Sequence, residues 1–406
     1  MLNTFQQQPH DLLPSATHDE RSRQEFAKSL KGYVQQGLLP GLAPVYQKRL
    51  VRYEGEHGAV PKDRRETRRM MIPDAYFQTY ASANRVAQEL LWESVLTAIQ
   101  RQQPELNQRA QELSAKNASP LAVDPAKPAP RYVTGIDIHC MPGGYADATS
   151  DDDVSTGALY DRGVYLYAMG YMGPTNDDMG RSVCNYIRRN MPDFAPKAIL
   201  DMGCTVGHST LPYKEQFADA EVTGIDVAAP QLRYAHARAG AMGLNVGFMQ
   251  EDASQTSFAD GSFDLIVSHI LLHETSAKAM PAVFRECFRL LKPGGVMIHA
   301  DLPPFDHSDL FSEFILDNET HYNNEPFWGA MRDMDQIQLA VDAGFVRDQV
   351  RFDTAPMAVL EFAAAQAEGY SDESAEEVAD RDFKAGEYAP GGGWEVLIGV
   401  KGGDPS

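Results

Sequence analysis

The first third of the chain carries a helical pattern of apolar residues. Within residues 74–103 they recur at spacings of three or four, at Tyr76, Tyr80, Ala83, Ala87, Leu91 and Val95. This spacing places them on one face of an amphipathic helix. Weaker helical patterns cover residues 21–36 and 42–53. We therefore predict an α-helical N-terminal domain over residues 21–116, after a polar, frayed tail of residues 1–20.

A proline-rich stretch separates this region from the rest of the chain. Residues 117–131 read NASPLAVDPAKPAPR, with four prolines among small residues. Such a composition is typical of stiff, extended connectors. We therefore predict a linker here and a second domain over residues 132–406.

Short apolar runs alternate with helical stretches beyond residue 196. The runs KAILDMG, EVTGIDV, NVGFMQED, FDLIVSHI and GGVMIHAD each predict a strand, and helical periodicity covers residues 208–217, 230–242 and 277–291. This alternation is typical of a parallel sheet with helices on both faces. Before it, the glycines within residues 132–175 disfavour a long regular helix.

Charge and cysteine usage exclude several classes of protein. The chain has 406 residues, 43% of them hydrophobic, and a formal net charge of −21. Intrinsic disorder is excluded, and nucleic acid is not expected as a partner, because acidic surfaces repel phosphates. The one dense basic run, residues 62–69, is interpreted as a solvated helix face.

The expected location is the cytoplasm. The four cysteines form no CxxC pair and are expected to be reduced thiols. The N-terminal residues lack the regions of a signal peptide, and no apolar run reaches the roughly 18 residues of a membrane-spanning helix. We therefore expect no contact with a membrane.

A loop containing two glycines follows the first predicted strand of the second domain. It reads Asp201-Met-Gly203-Cys-Thr-Val-Gly207 and precedes a predicted helix. Glycines let the backbone approach a ligand closely, and a helix N-terminus offers unpaired N–H donors. Taken alone, the loop also fits a dinucleotide.

Four further motifs follow in order. Asp226 ends the second strand, where a carboxylate can accept both hydroxyls of a ribose. Glu251 or Asp252, at the end of the third strand, can accept the exocyclic amine of an adenine. The last two motifs are FDLIVSH at residues 263–269 and LLKPGG at residues 290–295. Five motifs in this order are far more specific than any one of them.

With these motifs, residues 198–300 resemble the cofactor half of a class I S-adenosylmethionine (SAM)-dependent methyltransferase. The resemblance implies a Rossmann-like α/β fold with a seven-stranded, mostly parallel sheet, closed by an antiparallel pair at residues 345–352 and 394–400. It also implies SAM as the cofactor. The departure is Thr205, where this family most often has a second glycine. Its side chain could crowd the methionine moiety of SAM or donate a hydrogen bond to it.

The resemblance assigns cofactor contacts to seven positions. They are Asp201, Gly203, Gly207, Asp226, Asp252, Ala253 and Ser268. Asp201 and Gly203 would hold the amino acid end of SAM, and Asp226 the ribose. Asp252 and Ala253 would frame the adenine, and Ser268 would line the methionine side.

Two histidines follow the fourth strand, on the side where this fold places its acceptor pocket. His269 and His273 are four residues apart, and Glu274 comes next. Histidine, with an ordinary pKa of about 6.5, is suited to take a proton from an acceptor, and Glu274 could orient it. Alternatively, His269 packs near the cofactor and His273 caps a short helix. A metal is not expected, because HEXXH spacing is absent.

Two insertions predict a lid over the acceptor. Residues 301–333 are a long aromatic connection, and such connections are commonly functional. An extra packing layer or a dimer contact is the alternative. Residues 357–390 contain an acidic helix, interpreted as a solvated face. The expected walls of the acceptor pocket are Tyr160, Tyr165, Tyr322 and Trp328.

The leading hypothesis is an enzyme that transfers a methyl group from SAM to a small-molecule acceptor, first of all at a hydroxyl oxygen. One alternative is a protein or RNA methyltransferase, and the acidic charge disfavours RNA. Another is a non-catalytic partner protein, which the intact Asp201, Gly203 and Asp226 disfavour. A homodimer through the helix at residues 74–103 stays open, because this helix could also simply cover the N-terminal core.

Overall fold

The fold is built on one eight-stranded sheet. The computed structural model describes residues 6–124, 126–305, 309–368 and 392–402. The strands are β1 (Leu121–Ala122), β2 (Ala198–Met202), β3 (Glu221–Asp226), β4 (Gly247–Gln250), β5 (Phe263–His269), β6 (Leu291–Asp301), β7 (Val350–Pro356) and β8 (Gly393–Val400). The predicted Rossmann-like α/β fold is confirmed, but the predicted count of seven strands is wrong.

The strand order creates the crevice that holds the site. The order is β1-β4-β3-β2-β5-β6-β8-β7, and all neighbours are parallel except that β8 runs antiparallel to both β6 and β7. Because β2 lies between β3 and β5, the chain leaves β2 towards one side of the sheet and later continues on the other. A crevice forms outside the carboxyl ends of the strands at such a switch point.

The additional strand comes from the predicted linker. Leu121 and Ala122 pair with Phe248 and Met249 of β4, and the Phe248 N–H donates to the Pro120 carbonyl at 2.9 Å. A strand of two residues is too short to show a period of two in the sequence. The segment that was expected only to connect the two parts of the chain therefore extends the sheet.

Helices cover both faces of the sheet and form the N-terminal region. They are α1 (His18–Tyr33), α2 (Leu42–His57), α3 (Arg64–Met71), α4 (Ala75–Ser114), α5 (Arg131–Thr134), α6 (Ser155–Tyr167), α7 (Asp178–Asn190), α8 (Leu211–Gln216), α9 (Ala229–Ala241), α10 (Met280–Leu290), α11 (Leu310–Leu316), α12 (Asn318–Tyr322), α13 (Trp328–Arg332), α14 (Gln336–Ala343) and α15 (Ala358–Glu368). Non-helical backbone angles at Gln102 interrupt α4 two residues before Pro104.

The glycine-rich segment contains a regular helix, contrary to the prediction. Helix α6 has 13 residues, although it includes Gly157 and Gly163. A Cβ atom at Gly163 would lie 2.0 Å from the Trp92 ring of α4. The glycine therefore allows two helices to approach closely and does not end the helix.

The polar N-terminal segment lies against this helix pair. Leu12 is fully buried in the same apolar cluster as Leu91 and Trp92. His10 Nε2 lies 2.9 Å from a carboxylate oxygen of Asp161 on α6. Part of the predicted tail thus contributes to the core around α4 and α6.

The basic run at residues 62–69 is only partly a solvated face. Arg64 of α3 pairs with Asp333 at 2.6 Å and approaches Asp317 at 3.4 Å. Arg68 donates to the Asn318 side chain at 3.2 Å. These partners all belong to the insertion at residues 301–333. The run therefore docks the insertion onto the N-terminal helices, while Lys62 and Arg69 stay exposed.

Strand β7 begins and ends later in the chain than the predicted strand of residues 345–352. Strand β7 begins at Val350, because Phe345 packs in the core and a 3₁₀ turn at Arg347–Gln349 precedes the strand. The predicted acidic helix within residues 357–390 lies largely outside the described residues. Within the described part of the chain, no helix is long and apolar enough to cross a membrane.

Candidate functional site

A cleft opens at the carboxyl ends of the central strands. It encloses about 1140 Å³, including its open mouth. Its walls come from the loops after β2 and β5, the ends of β3 and β4, and the segment between α5 and α7. Eight of the predicted site residues line it: Asp201, Gly203, Asp226, Asp252, Ala253, His269, Glu274 and Tyr160.

The loop after β2 is shaped by left-handed backbone. Gly203 has φ of +73°, and a Cβ atom there would lie 2.7 Å from the Leu271 side chain. Thr205 also has a positive φ, of 43°, which a non-glycine residue rarely adopts. Its N–H donates to Asp226 Oδ2 at 3.0 Å. The residue that departs from the family pattern thus ties the loop to the end of β3.

Two buried carboxylates flank this loop. Asp201 accepts a hydrogen bond from Thr210 at 2.6 Å. Asp226 accepts from the Thr205 and Ala228 backbone N–H groups, yet burial raises its pKa to about 6. The backbone donors oppose this rise only in part, since they stabilise the ionised form.

The two acidic residues at the end of β4 have different surroundings. Glu251 is bonded through both oxygens, to Lys127 at 2.9 Å and to Ser257 at 2.5 Å. Asp252 uses one oxygen to accept from the Ser254 N–H at 2.8 Å. Asp252 therefore keeps an oxygen for a ligand, whereas Glu251 is occupied by the protein.

The two predicted histidines lie in different environments. His269 lines the cleft between Asp201, at 3.2 Å from Nδ1, and Tyr213, at 3.0 Å from Nε2. His273 is fully buried outside the lining residues, and its Nδ1 lies 2.7 Å from Asp301. Both nitrogens of His269 are thus engaged by neighbouring side chains.

Six predicted residues are not among those that line the cleft: Gly207, Ser268, His273, Tyr165, Tyr322 and Trp328. The Ser268 hydroxyl is buried, 2.6 Å from His299 Nδ1. Tyr322 packs near Phe77, in the cluster of the N-terminal helices. Trp328 is fully buried, with its ring 5.0 Å from that of His273.

A second polar group faces the cleft from the opposite side. His139 Nε2 lies 3.0 Å from Glu274 Oε1, and its Nδ1 contacts Glu325. Tyr145 donates to the same Glu274 oxygen at 2.9 Å. We call these four residues the His139 cluster. His139, Tyr145 and Glu274 line the cleft, and Glu325 is fully buried behind them.

Residues 199–295 match a family model described as a methyltransferase domain. The match runs from β2 into β6 and so covers the loop, the carboxylates and the strands that form the cofactor side of the cleft. The chain therefore contains a methyltransferase domain, and this domain has the strand order and the motifs that are typical of class I SAM-dependent methyltransferases. S-adenosylmethionine is the cofactor of this domain.

Two curated methyltransferases match 27% and 36% of the chain. A demethylmenaquinone methyltransferase of Thermus thermophilus is 37% identical over 110 residues, which are 27% of this chain and 49% of the relative. Phosphoethanolamine N-methyltransferase 1 of Arabidopsis thaliana is 32% identical over 149 residues, 36% of this chain and 28% of the relative. The chain therefore spans less than half the length of these relatives.

Other similar proteins differ in the acceptors that their names give. A malonyl-[acyl-carrier protein] O-methyltransferase of Coxiella burnetii is 28% identical over 144 residues, 36% of this chain and 44% of the relative. A solved structure of Haemonchus contortus phosphoethanolamine N-methyltransferase 2 is 18% identical, covers 60% of this chain and 58% of that chain, and has a TM-score of 0.39. The names of the three curated relatives give three different acceptors.

The His139 cluster is strongly charged for a buried group. Burial by itself lowers the pKa of His139, but Glu325 and Glu274 outweigh it and hold the pKa well above the usual value. Burial raises the pKa of Glu325, whereas contact with His139 outweighs burial at Glu274 and lowers its pKa. Glu274 is therefore a charged carboxylate that faces the cleft of the methyltransferase.

Sequence reasoning missed His139, Tyr145 and Glu325. Tyr145 belongs to the glycine-containing segment of residues 132–175, and His139 stands four residues before Gly143. Glu325 comes from the insertion at residues 301–333. A turn signal near His139 was visible, but only the tertiary fold brings it to Glu274 and Glu325.

Proposed function

We propose that this methyltransferase moves the methyl group of SAM to a small-molecule acceptor and releases S-adenosylhomocysteine. One observation carries the proposal: a single cleft joins the carboxylates after β2 and β3 to the His139 cluster. The first side suits the cofactor and the second an acceptor that must lose a proton. The walls between them are largely apolar and aromatic, as is usual for small-ligand sites.

The residues on the cofactor side fit SAM. The left-handed Gly203 opens the loop to the amino acid end of SAM, and Asp201 lies beside it. Asp226 ends β3 and is positioned to accept the ribose hydroxyls. Asp252 and Ala253 frame the adenine, because Glu251 is already bonded through both oxygens. We place Gly207 and Ser268 behind this surface, where they support it.

The acceptor side provides a route for the proton. When bound, SAM supplies a cationic sulfonium whose methyl group is attacked in line, so positioning of the acceptor dominates catalysis. Glu274 is ionised and faces the cleft, so its carboxylate can take the proton that the acceptor loses, and the protonated His139 orients it. His269 positions Asp201, because both of its nitrogens are bonded. His273 supports the cluster from behind.

The sequence favoured a hydroxyl oxygen as the methylated atom. The His139 cluster serves any acceptor that gives up a proton, an alcohol or an amine alike. Tyr160 stays in the proposal as a wall residue, since it lines the cleft. We retain Tyr165, Tyr322 and Trp328 only as residues that hold this wall in place.

Calorimetric titration with SAM and S-adenosylhomocysteine tests the cofactor half. Asp226→Asn is expected to weaken SAM binding roughly 100-fold, because hydrogen bonds to a charged carboxylate contribute about 1.5–3 kcal/mol each. Asp178→Asn is the matched control: Asp178 is also buried with its pKa raised to about 6, but it bonds to Trp394 outside the cleft lining. Wild-type protein that binds neither compound would refute the proposal.

A further inference from the structure

Buried oxygen atoms without donors surround His139. Glu274 Oε2 and Glu325 Oε2 are buried and receive no hydrogen bond from the described residues. The Glu325 side chain is fully buried. A buried acceptor left unsatisfied costs about 1–3 kcal/mol, and more when it is charged. Two such atoms in the His139 cluster, beside the cleft, indicate a binding site for a ligand that donates hydrogen bonds.

The charged groups at this end of the cleft determine whether that ligand should be a cation or an anion. Ionised carboxylates accept hydrogen bonds and cannot donate them. Asp201 and Asp226 serve the cofactor in the proposed function, and Asp252 faces the adenine. On the acceptor side, the protonated His139 contacts one oxygen each of Glu274 and Glu325. The second oxygen of each carboxylate stays without a donor among the described residues. The matching ligand group is a cation with several N–H donors.

We propose that the acceptor carries an ammonium group, which Glu274 binds against the rings of Tyr145 and Tyr160, with the carboxylate of Glu325 behind Glu274. This inference rests on the proposed function and names the class of its acceptor. The two tyrosine ring centroids are 5.7 Å apart, and both residues line the cleft. Aromatic faces attract organic cations, so the rings complete the site that the carboxylates begin.

A metal ion is the competing occupant. His139, Glu274 and Glu325 each offer one ligand atom, and these atoms lie within 4.8 Å of one another. However, Glu274 faces Nε2 of the imidazole, and Glu325 faces Nδ1. A metal ion bound to either ring nitrogen would displace the contact that this nitrogen already makes with a carboxylate. The arrangement therefore favours an organic cation, which can bond to Glu274 from the cleft and leave the contacts of the imidazole in place.

Matched probes of one size test the charge preference. Protein saturated with S-adenosylhomocysteine is titrated with propylammonium, 1-propanol and propionate, followed by ligand-observed NMR. Propylammonium is expected to bind at least about 10-fold more tightly than 1-propanol, as a charged hydrogen bond predicts. Glu274→Gln should abolish this preference, and Glu325→Gln should reduce it, because Glu325 lies behind Glu274. Glu286→Gln, which removes a buried carboxylate outside the cleft lining, should keep it.

Several outcomes would overturn the inference. They are tighter binding of 1-propanol or propionate, binding of none of the probes, and micromolar binding of Mn²⁺, seen by electron paramagnetic resonance, that the glutamine variants lose. If either glutamine variant fails to fold, Tyr160→Leu should instead lower the preference about threefold through loss of a cation–π contact. Because S-adenosylhomocysteine binding is measured first, its absence refutes the proposed function itself, whereas its presence without an ammonium preference refutes only the acceptor class.

Discussion

Hydrogen bonding and burial have opposite effects on the ionised form of Asp226. Its carboxylate receives two backbone hydrogen bonds that favour ionisation, yet burial raises its pKa to about 6. Ribose hydroxyls would supply further donors to the ionised form. A ligand that adds such donors binds the charged state preferentially and lowers the pKa on binding.

SAM binding should therefore weaken at mildly acidic pH. Above about pH 6 Asp226 is ionised and binds at full strength, and below this pH a growing fraction is protonated. Calorimetry is expected to show affinity falling up to about tenfold for each pH unit below the transition. Asp178→Asn should keep this dependence and Asp226→Asn should lose it. An unchanged affinity from pH 7.5 to pH 5 would contradict the assignment.

Single residues were predictable where a motif fixes their place on a strand. Asp201 and Asp226 end adjacent parallel strands, so their proximity follows from the topology alone. His139 and Glu325 lie on irregular segments far apart in sequence, and no period or spacing links them. Their contact depends on how the insertion at residues 301–333 docks, which is a property of tertiary packing.

Glycine acts differently in the helices than its propensity suggests. Gly163 lies within α6, and the Trp92 ring of α4 occupies the space that a side chain would need. The glycines of residues 132–175 were expected to disfavour a long regular helix, because in isolation glycine weakens helices. The short distance between two helices requires a small residue, and composition does not reveal this requirement.

Two alanine substitutions should separate packing from propensity. Gly163→Ala is expected to destabilise the protein by about 1–3 kcal/mol through steric overlap with Trp92. Gly55→Ala, in α2 with no atom within 4 Å of the added Cβ, should stabilise it by about 0.5–1 kcal/mol. Urea denaturation monitored by circular dichroism measures both. Equal effects of the two substitutions would show that helix propensity alone governs α6.

At the scale of the molecule, Asp161 joins distant parts of the chain. Its carboxylate lies 2.9 Å from His10 of the N-terminal segment and 3.0 Å from His208 beside the cleft, and it accepts from Tyr234 of α9 at 2.8 Å. Burial would raise its pKa, but the hydrogen bonds and charges of both histidines outweigh burial and hold it well below the usual value. The buried carboxylate of Asp161 thus connects the N-terminal segment to the loop after β2.

Replacing this charge should destabilise the whole fold. Asp161→Asn is expected to lower the free energy of unfolding by about 3 kcal/mol at pH 7, since it removes the partner that these groups share. A carboxyl whose pKa is lowered by folding stabilises the folded state fully at pH values above its pKa in the unfolded chain. This stabilisation is lost as the pH falls from that value through the pKa of the folded state. The difference from wild type should therefore shrink only below about pH 3.8. Asp151→Asn, an exposed control, should change stability by less than about 0.5 kcal/mol.

The two-residue strand β1 also bears on how the protein can be shortened. Backbone groups along an unpaired strand attract strands from other molecules, and this is a common start of aggregation. Leu121 and Ala122 occupy the β4 side of the sheet, and the 117–131 segment therefore shields an edge. A fragment that begins after residue 122 would keep every motif of the cofactor half and would present β4 to solvent. Solubility of the isolated catalytic half thus depends on a segment that carries no chemistry.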